Sequence, residues 1–260
     1  MNHRVRILIL INTLAFAGVL WVNYLANALP LNGKTTGALS NQYPNLFTPA
    51  GLTFSIWGVL YLWLMVFTAV CLWGLFSAKT LQRVAPAVHQ ISLYFALGSL
   101  LNIAWIFAWH WEQLALSVVI MIGLLASLVT LNRQLYQPDS TSPTWIKIPF
   151  GLYQGWITVA LIANVTAWLV AMGWRGGVVG EGLWAVLMIT AGTIIALFFG
   201  TKQRNIGHVI AVLWAFTGIV LKRNGAPEDG SAIVAGAAIA AIGVLVPVVT
   251  SFFRKKRTTV

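Results

Sequence analysis

Long apolar segments alternate with short polar ones along the whole chain. A helix needs about 20 apolar residues to cross a bilayer, and eight segments meet that requirement. They are Ile7–Leu29, Leu52–Phe76, Ile91–Trp109, Leu114–Leu131, Ile148–Met172, Gly182–Gly200, Ile206–Leu221 and Ser231–Phe253. Only the residues around His110 to Gln113 separate the third and fourth segments, which predicts a tight helical hairpin.

The composition agrees with this pattern. Hydrophobic residues make up 59% of the 260 residues and charged residues only 8%, whereas soluble domains carry about a quarter charged residues. We therefore predict an all-α membrane protein, a polytopic bundle of about eight transmembrane helices. The first segment also resembles a signal peptide with Ala26–Ala28 as a cleavage site, but its apolar run is longer than a usual signal core.

The net charge of +11 reflects membrane topology rather than a nucleic-acid partner. With the N-terminus in the cytoplasm, the inner segments hold twelve basic residues and the outer segments four. The inner set is Arg4, Arg6, Lys79, Arg83, Arg133, Lys147, Lys202, Arg204, Arg254, Lys255, Lys256 and Arg257, and the outer set is Lys34, Arg175, Lys222 and Arg223. Both termini are thus expected to be cytoplasmic.

The predicted spans contain no Asp, Glu, Lys or Arg. Ion-coupled transport and acid–base chemistry inside the bilayer need such groups, so both are disfavoured. The four histidines lack the spacing of a metal site, and we expect His89, His110 and His208 to lie at the membrane interface. No metal and no obligatory cofactor are expected.

The chain changes character near residue 175, which predicts a five-helix core over 1–175 and a three-helix extension with a basic tail over 176–260. Ten of the 13 tryptophans lie in residues 1–172. In the last span Ala232, Gly236 and Ala240 fall four residues apart, a spacing that lets helices pack closely.

Three spans carry aromatic and amide side chains on one helical face. In the fifth span these are Tyr153, Trp156, Asn164 and Trp168 with Ala160 between them, in the second Trp57 and Tyr61, and in the third Asn102 and Trp105. Such faces suit either a flat apolar ligand or close helix packing. Both interpretations remain open on residue types alone.

The same residues resemble the TspO/MBR family of tryptophan-rich sensory proteins over about residues 5–172. The matching motifs are Pro49, Trp57, Leu60 and Tyr61 in the second span, Leu101, Asn102 and Trp105 in the third, and Tyr153, Trp156, Ala160 and Asn164 in the fifth. The last three spans have no counterpart in the five-helix members, so the chain resembles a longer, divergent branch.

The resemblance implies a five-helix bundle with a pocket beneath the loop between the first two helices, here residues 30–49. That loop is either a lid over the pocket or a connector. The implied ligand is a porphyrin, haem or similar planar apolar molecule, bound by Trp57, Tyr61, Asn102, Trp105, Tyr153, Trp156 and Asn164. We expect Trp156 and Tyr153 to meet the ligand and Asn164 to hold helices together. A homodimer in a bacterial inner membrane is also implied.

Four functions fit these observations. The first is a binding or sensor protein for the planar ligand, and the second is a transporter without ion coupling. The third is an enzyme that degrades porphyrin under light, a role known in the family. The fourth is a structural membrane subunit that binds lipid and a partner chain but no ligand.

Overall fold

A computed structural model describes residues 2–254, and every regular element in that range is helical. The α-helices are α1 Asn2–Ala28, α2 Thr36–Asn41, α3 Ile56–Trp73, α4 Ala78–Ile91, α5 Tyr94–His110, α6 Leu114–Leu135, α7 Thr144–Ala171, α8 Gly180–Lys202, α9 Ile206–Arg223 and α10 Ser231–Arg254. Of the predicted basic tail, Lys255, Lys256 and Arg257 lie outside the described residues.

The helices confirm the predicted fold class. Seven of those described are long and apolar enough to cross a membrane, and the count reaches eight if α4 and α5 form one bent span. The predicted hairpin is also present, because α5 ends at His110, α6 begins at Leu114, and the two helices pack along their lengths. A left-handed residue, Glu112 with φ 55°, turns the chain between them.

Helix α4 was not predicted, since the sequence analysis assigned Lys79 and Arg83 to a loop. The Ser77 hydroxyl caps the helix by accepting a hydrogen bond from the Thr80 amide at 3.3 Å. One face of α4, which includes Val84 and Ile91, is buried, and the opposite face is polar. A search for uniformly apolar segments misses such an amphipathic helix.

Asn12 of α1 stabilises the break between α4 and α5. The two helices meet at 59°, and Ser92 between them has φ 50°. The Asn12 amide donates to the Ser92 carbonyl at 2.9 Å, and its oxygen accepts from the Ala96 amide at 2.9 Å. One buried side chain thus satisfies a donor and an acceptor that the break leaves without helical partners.

The chain forms two compact units that both draw on separate stretches of sequence. The first contains Met1–Thr36 and Trp57–Gln154, and the second contains Gly37–Ile56 and Gly155–Val260. Helix α7 begins in the first unit and ends in the second. The predicted organisation into a core and an extension divided near residue 175 rests on sequence character and stays a prediction.

In the second unit, the segment Gly37–Ile56 is held against α9. The Ala50 amide donates to the Gly218 carbonyl at 3.0 Å, and the Trp214 indole donates to the Thr53 carbonyl at 2.8 Å. A Cβ atom on Gly218 would overlap the Thr53 side chain, so glycine permits this approach. The segment Gly37–Ile56, which we call the docked segment, is therefore fastened to α9.

Helix α10 packs on α8 and α9, but not through the predicted stripe. Ala232, Gly236 and Ala240 are exposed, and a Cβ atom on Gly236 would meet nothing within 4 Å. The buried face carries Val234 and Ala238 instead. The small-residue spacing occurs on two faces of this alanine-rich helix, and sequence alone does not select between them.

Candidate functional site

Three of the predicted site residues form an aromatic cluster in the first unit. The rings of Trp57 and Tyr61, one turn apart on α3, stack with centroids 5.1 Å apart and planes at 25°. The Tyr153 ring of α7 presents its edge to Trp57 at 5.9 Å and 72°. Offset and edge-on contacts of this kind are the favourable geometries for aromatic pairs. We call Trp57, Tyr61 and Tyr153 the aromatic cluster.

A chain of hydrogen bonds lies beside the aromatic cluster. The Asn102 amide donates to the Tyr153 hydroxyl at 3.0 Å, and the Asn23 amide donates to the Asn102 oxygen at 3.2 Å. The Tyr61 hydroxyl is buried near both amides. Side chains from α1, α3, α5 and α7 therefore meet at one polar point between apolar helices, where each polar group needs a partner.

The residues of this site differ in how deeply they are buried. Asn102 and Tyr153 are almost completely buried, whereas Trp57, Tyr61 and Asn23 are partly accessible. A partly accessible indole backed by a rigid hydrogen-bonded layer can offer a flat apolar surface to a ligand. The sequence analysis missed Asn23, although an amide inside an apolar helix is itself a signal that a polar partner lies nearby.

Trp105 also belongs to the first unit. It stacks on Trp109, one turn further along α5, with ring centroids 6.0 Å apart, and the Trp109 indole donates to the Thr36 carbonyl at 3.4 Å. The neighbouring His110 lies at the helix end as predicted but is fully buried. Its ring contacts the Ile106 carbonyl at 2.8 Å, and its own carbonyl accepts from Asn32.

The other two predicted site residues belong to the second unit. Trp156 is 3% exposed, and Phe54 packs its ring against it edge-on at 5.8 Å. Asn164, two turns further along α7, is also buried. Phe54 belongs to the docked segment, which therefore supplies an aromatic neighbour to α7.

His208 is a buried polar residue that the sequence analysis assigned to the interface. Its ring lies 4.7 Å from that of Phe199, and neither ring nitrogen has a hydrogen-bond partner among the described residues. The close approach of α7 explains the burial, because a Cβ atom on Gly155 would overlap the His208 backbone. Within residues 2–254, no group of three His, Cys, Asp or Glu side chains could hold a metal ion.

The second unit also contains a charged pocket of about 570 Å³. The docked segment contributes part of its lining, and the start of α8, the end of α9 and the loop before α10 contribute most of the rest. Arg223 is nearly buried there and donates to the carbonyls of Asn45 at 2.6 Å and Leu46 at 3.2 Å. Glu228 lies 3.5 Å from the same guanidinium. Arg223 therefore fastens the docked segment to α9.

Comparison with known proteins identifies one family. The model of a family described as TSPO-like protein matches residues 9–251. This match continues beyond the sequence motifs, which end in α7, and reaches into α10. No curated protein and no solved structure matches the chain.

Proposed function

Since the chain belongs to the TSPO-like family, we propose that it is a membrane sensor for a planar apolar ligand, and that the ligand is a tetrapyrrole. Membership of the family indicates a membrane ligand-binding or sensor protein. The choice of ligand rests on the aromatic cluster of the first unit. The single observation that carries it is the stacked, partly accessible pair of Trp57 and Tyr61.

The chemistry of the cluster favours a flat molecule. A large aromatic ring system gains most from stacking on an indole face, and a porphyrin offers such a surface on both sides. The amides of Asn23 and Asn102 supply the few polar groups that fix the orientation of a ligand in an apolar pocket. Trp57 is expected to meet the ligand, and Asn102 to position Tyr153 through their hydrogen bond.

The residue types of the site favour sensing over chemistry. The site residues in the first unit are aromatic or amide side chains, and none is a carboxylate or a basic group. Such groups bind and orient a ligand but offer no general acid or base at neutral pH. Signal transfer through a bound ligand needs only that two conformations differ in affinity for it.

A titration tests this proposal. Purified protein in detergent is titrated with protoporphyrin, and the shift of the porphyrin absorbance band is followed. We expect saturable binding, weakened about tenfold in Trp57→Ala, which corresponds to about 1.4 kcal/mol. Trp21→Ala is the matched control, because Trp21 is an exposed indole on α1 of the same unit.

Two results would overturn the proposal. One is a band shift that rises linearly with porphyrin without saturating. The other is equal affinity in Trp57→Ala, Trp21→Ala and the unmodified protein.

A further inference from the structure

The first unit carries an open groove at the end of the bundle where α3 ends and α7 begins. Its volume is about 770 Å³, within the range of ligand sites. It is lined by Val66, Ala69, Val70 and Trp73 of α3, Thr80, Arg83 and Val84 of α4, and Thr141, Pro143 and Trp145 near the start of α7. None of these residues belongs to the aromatic cluster.

The groove has an apolar part and a charged end. Ala69 and Val70 come three and four residues after Val66, and Trp73 comes three residues after Val70, so the four residues form one stripe along α3. The stripe spans about 10 Å along the helix axis, and Val66 and Trp73 are exposed on it. Arg83 and two threonine hydroxyls lie on the remaining walls.

Arg83 is the single charged side chain in this lining. Its side chain is exposed. Among residues 2–254 it forms no ion pair and no hydrogen bond. The Thr80 hydroxyl donates to Ser77 at 3.1 Å. That hydroxyl therefore has no proton left for an anion, but the unpaired guanidinium is itself suited to an oxyanion, above all a phosphate.

We propose that this groove binds an anionic phospholipid, with the phosphate on Arg83 and one acyl chain along the α3 stripe. The charge complementarity and the adjoining apolar stripe together select this occupant. A free phosphate would leave the stripe uncovered, and a zwitterionic lipid would bring its own ammonium group close to Arg83. The two indoles, Trp73 and Trp145, are residues typical of the level of lipid headgroups.

The location agrees with the predicted topology. Arg83 counts among the inner basic residues, so the groove would face the cytoplasmic leaflet, whose anionic lipids attract basic side chains. Helix α4, which carries Arg83, ends at the break that Asn12 stabilises. This proposal does not depend on the ligand of the aromatic cluster.

Native mass spectrometry of the purified full chain tests the site. The protein is incubated with equal amounts of phosphatidylglycerol and phosphatidylcholine, and the ratio of the two lipids retained is measured. We expect the anionic lipid to be preferred and Arg83→Gln to reduce that preference about fivefold. Lys79→Gln is the matched control, because Lys79 is an exposed cation on the same helix outside the groove.

A second variant tests the apolar part. Ala69→Trp fills the stripe at an exposed position and is expected to reduce retention of both lipids. Equal preference in Arg83→Gln and Lys79→Gln would overturn the proposal, as would unchanged retention in Ala69→Trp. Displacement of the lipid by soluble glycerol phosphate would identify a phosphate site instead and would also overturn it.

Discussion

The Asn102 amide and the Tyr153 hydroxyl are joined by a hydrogen bond of 3.0 Å between two helices. The Asn23 amide extends the link to a third helix at 3.2 Å. Removing Asn102 should leave buried polar groups unpaired, and such interhelical bonds contribute about 0.6–2 kcal/mol in membranes. We therefore expect Asn102→Ala to lower the thermal unfolding temperature in detergent.

Asn27→Ala is the control for this prediction. Asn27 lies on α1 and is exposed, and its amide donates to the Asn23 carbonyl one turn away. Its removal should change the unfolding temperature little. If the two variants unfold at the same temperature, the hydrogen-bonded link does not stabilise the first unit.

Asn12→Ala should destabilise the backbone at the break between α4 and α5. Without the side chain, the Ser92 carbonyl and the Ala96 amide lose their partners. An unpaired buried group costs about 1–3 kcal/mol, so local opening should become easier. Hydrogen exchange at residues 92–97 is expected to accelerate at least tenfold, while exchange in α10 stays unchanged. Unaltered exchange at Ala96 would contradict this role.

Gly155→Ala should destabilise the second unit. The added methyl group would overlap the backbone of His208 and contact the Ala211 side chain, and backbone atoms give way only if a helix moves. Overpacking of this kind typically costs about 1–3 kcal/mol. A lower unfolding temperature, measured by circular dichroism in detergent, is expected.

Gly243→Ala provides the opposite case. This α10 glycine has open space around it, and alanine is favoured over glycine in a helix by up to about 1 kcal/mol. The variant should be as stable as the unmodified protein or slightly more stable. An equal loss of stability in both glycine variants would show that the close approach of α7 and α9 is not what makes Gly155→Ala destabilising.

Arg223→Ala should release the docked segment. The guanidinium donates to two backbone carbonyls of that segment, at Asn45 and Leu46. Limited proteolysis between residues 40 and 50 is expected to become faster, because cleavage follows local opening. Lys222→Ala is the control, since Lys222 is the adjacent cation but makes no such bonds among the described residues. Identical cleavage rates would rule out the clamp.

Sequence alone predicted the number of spans, because hydropathy and length decide whether a helix can cross a bilayer. It also selected Trp57, Tyr61, Asn102 and Tyr153, which contact one another in the first unit. Their role in ligand binding stays a prediction. The sequence did not predict that Trp105 stacks on Trp109. Helical periodicity predicts which residues share one face of a helix. It does not predict which part of that face a neighbouring helix contacts.

The missed features depend on contacts between distant parts of the chain. Asn12 bonds to residues 80 and 84 positions away, and nothing local distinguishes it from any other asparagine. Gly155 and Gly218 look like ordinary helical glycines until the partner helix or loop is known. Helix α4 is the exception, since its amphipathic spacing was visible in the sequence.

The docking of Gly37–Ile56 on α9 has a consequence for biogenesis. The hydrogen bonds that fasten this segment join residues 161 to 178 positions apart. During synthesis the segment emerges early, but its partner helix is made only near the end. Helices α1, α3, α4, α5 and α6 of the first unit can associate while the ribosome is still translating, since domains fold as they are produced. In the second unit, by contrast, the docked segment can bind its partner only after α9 has been synthesised. A ribosome stalled before residue 206 would therefore leave a nascent chain in which this segment is undocked.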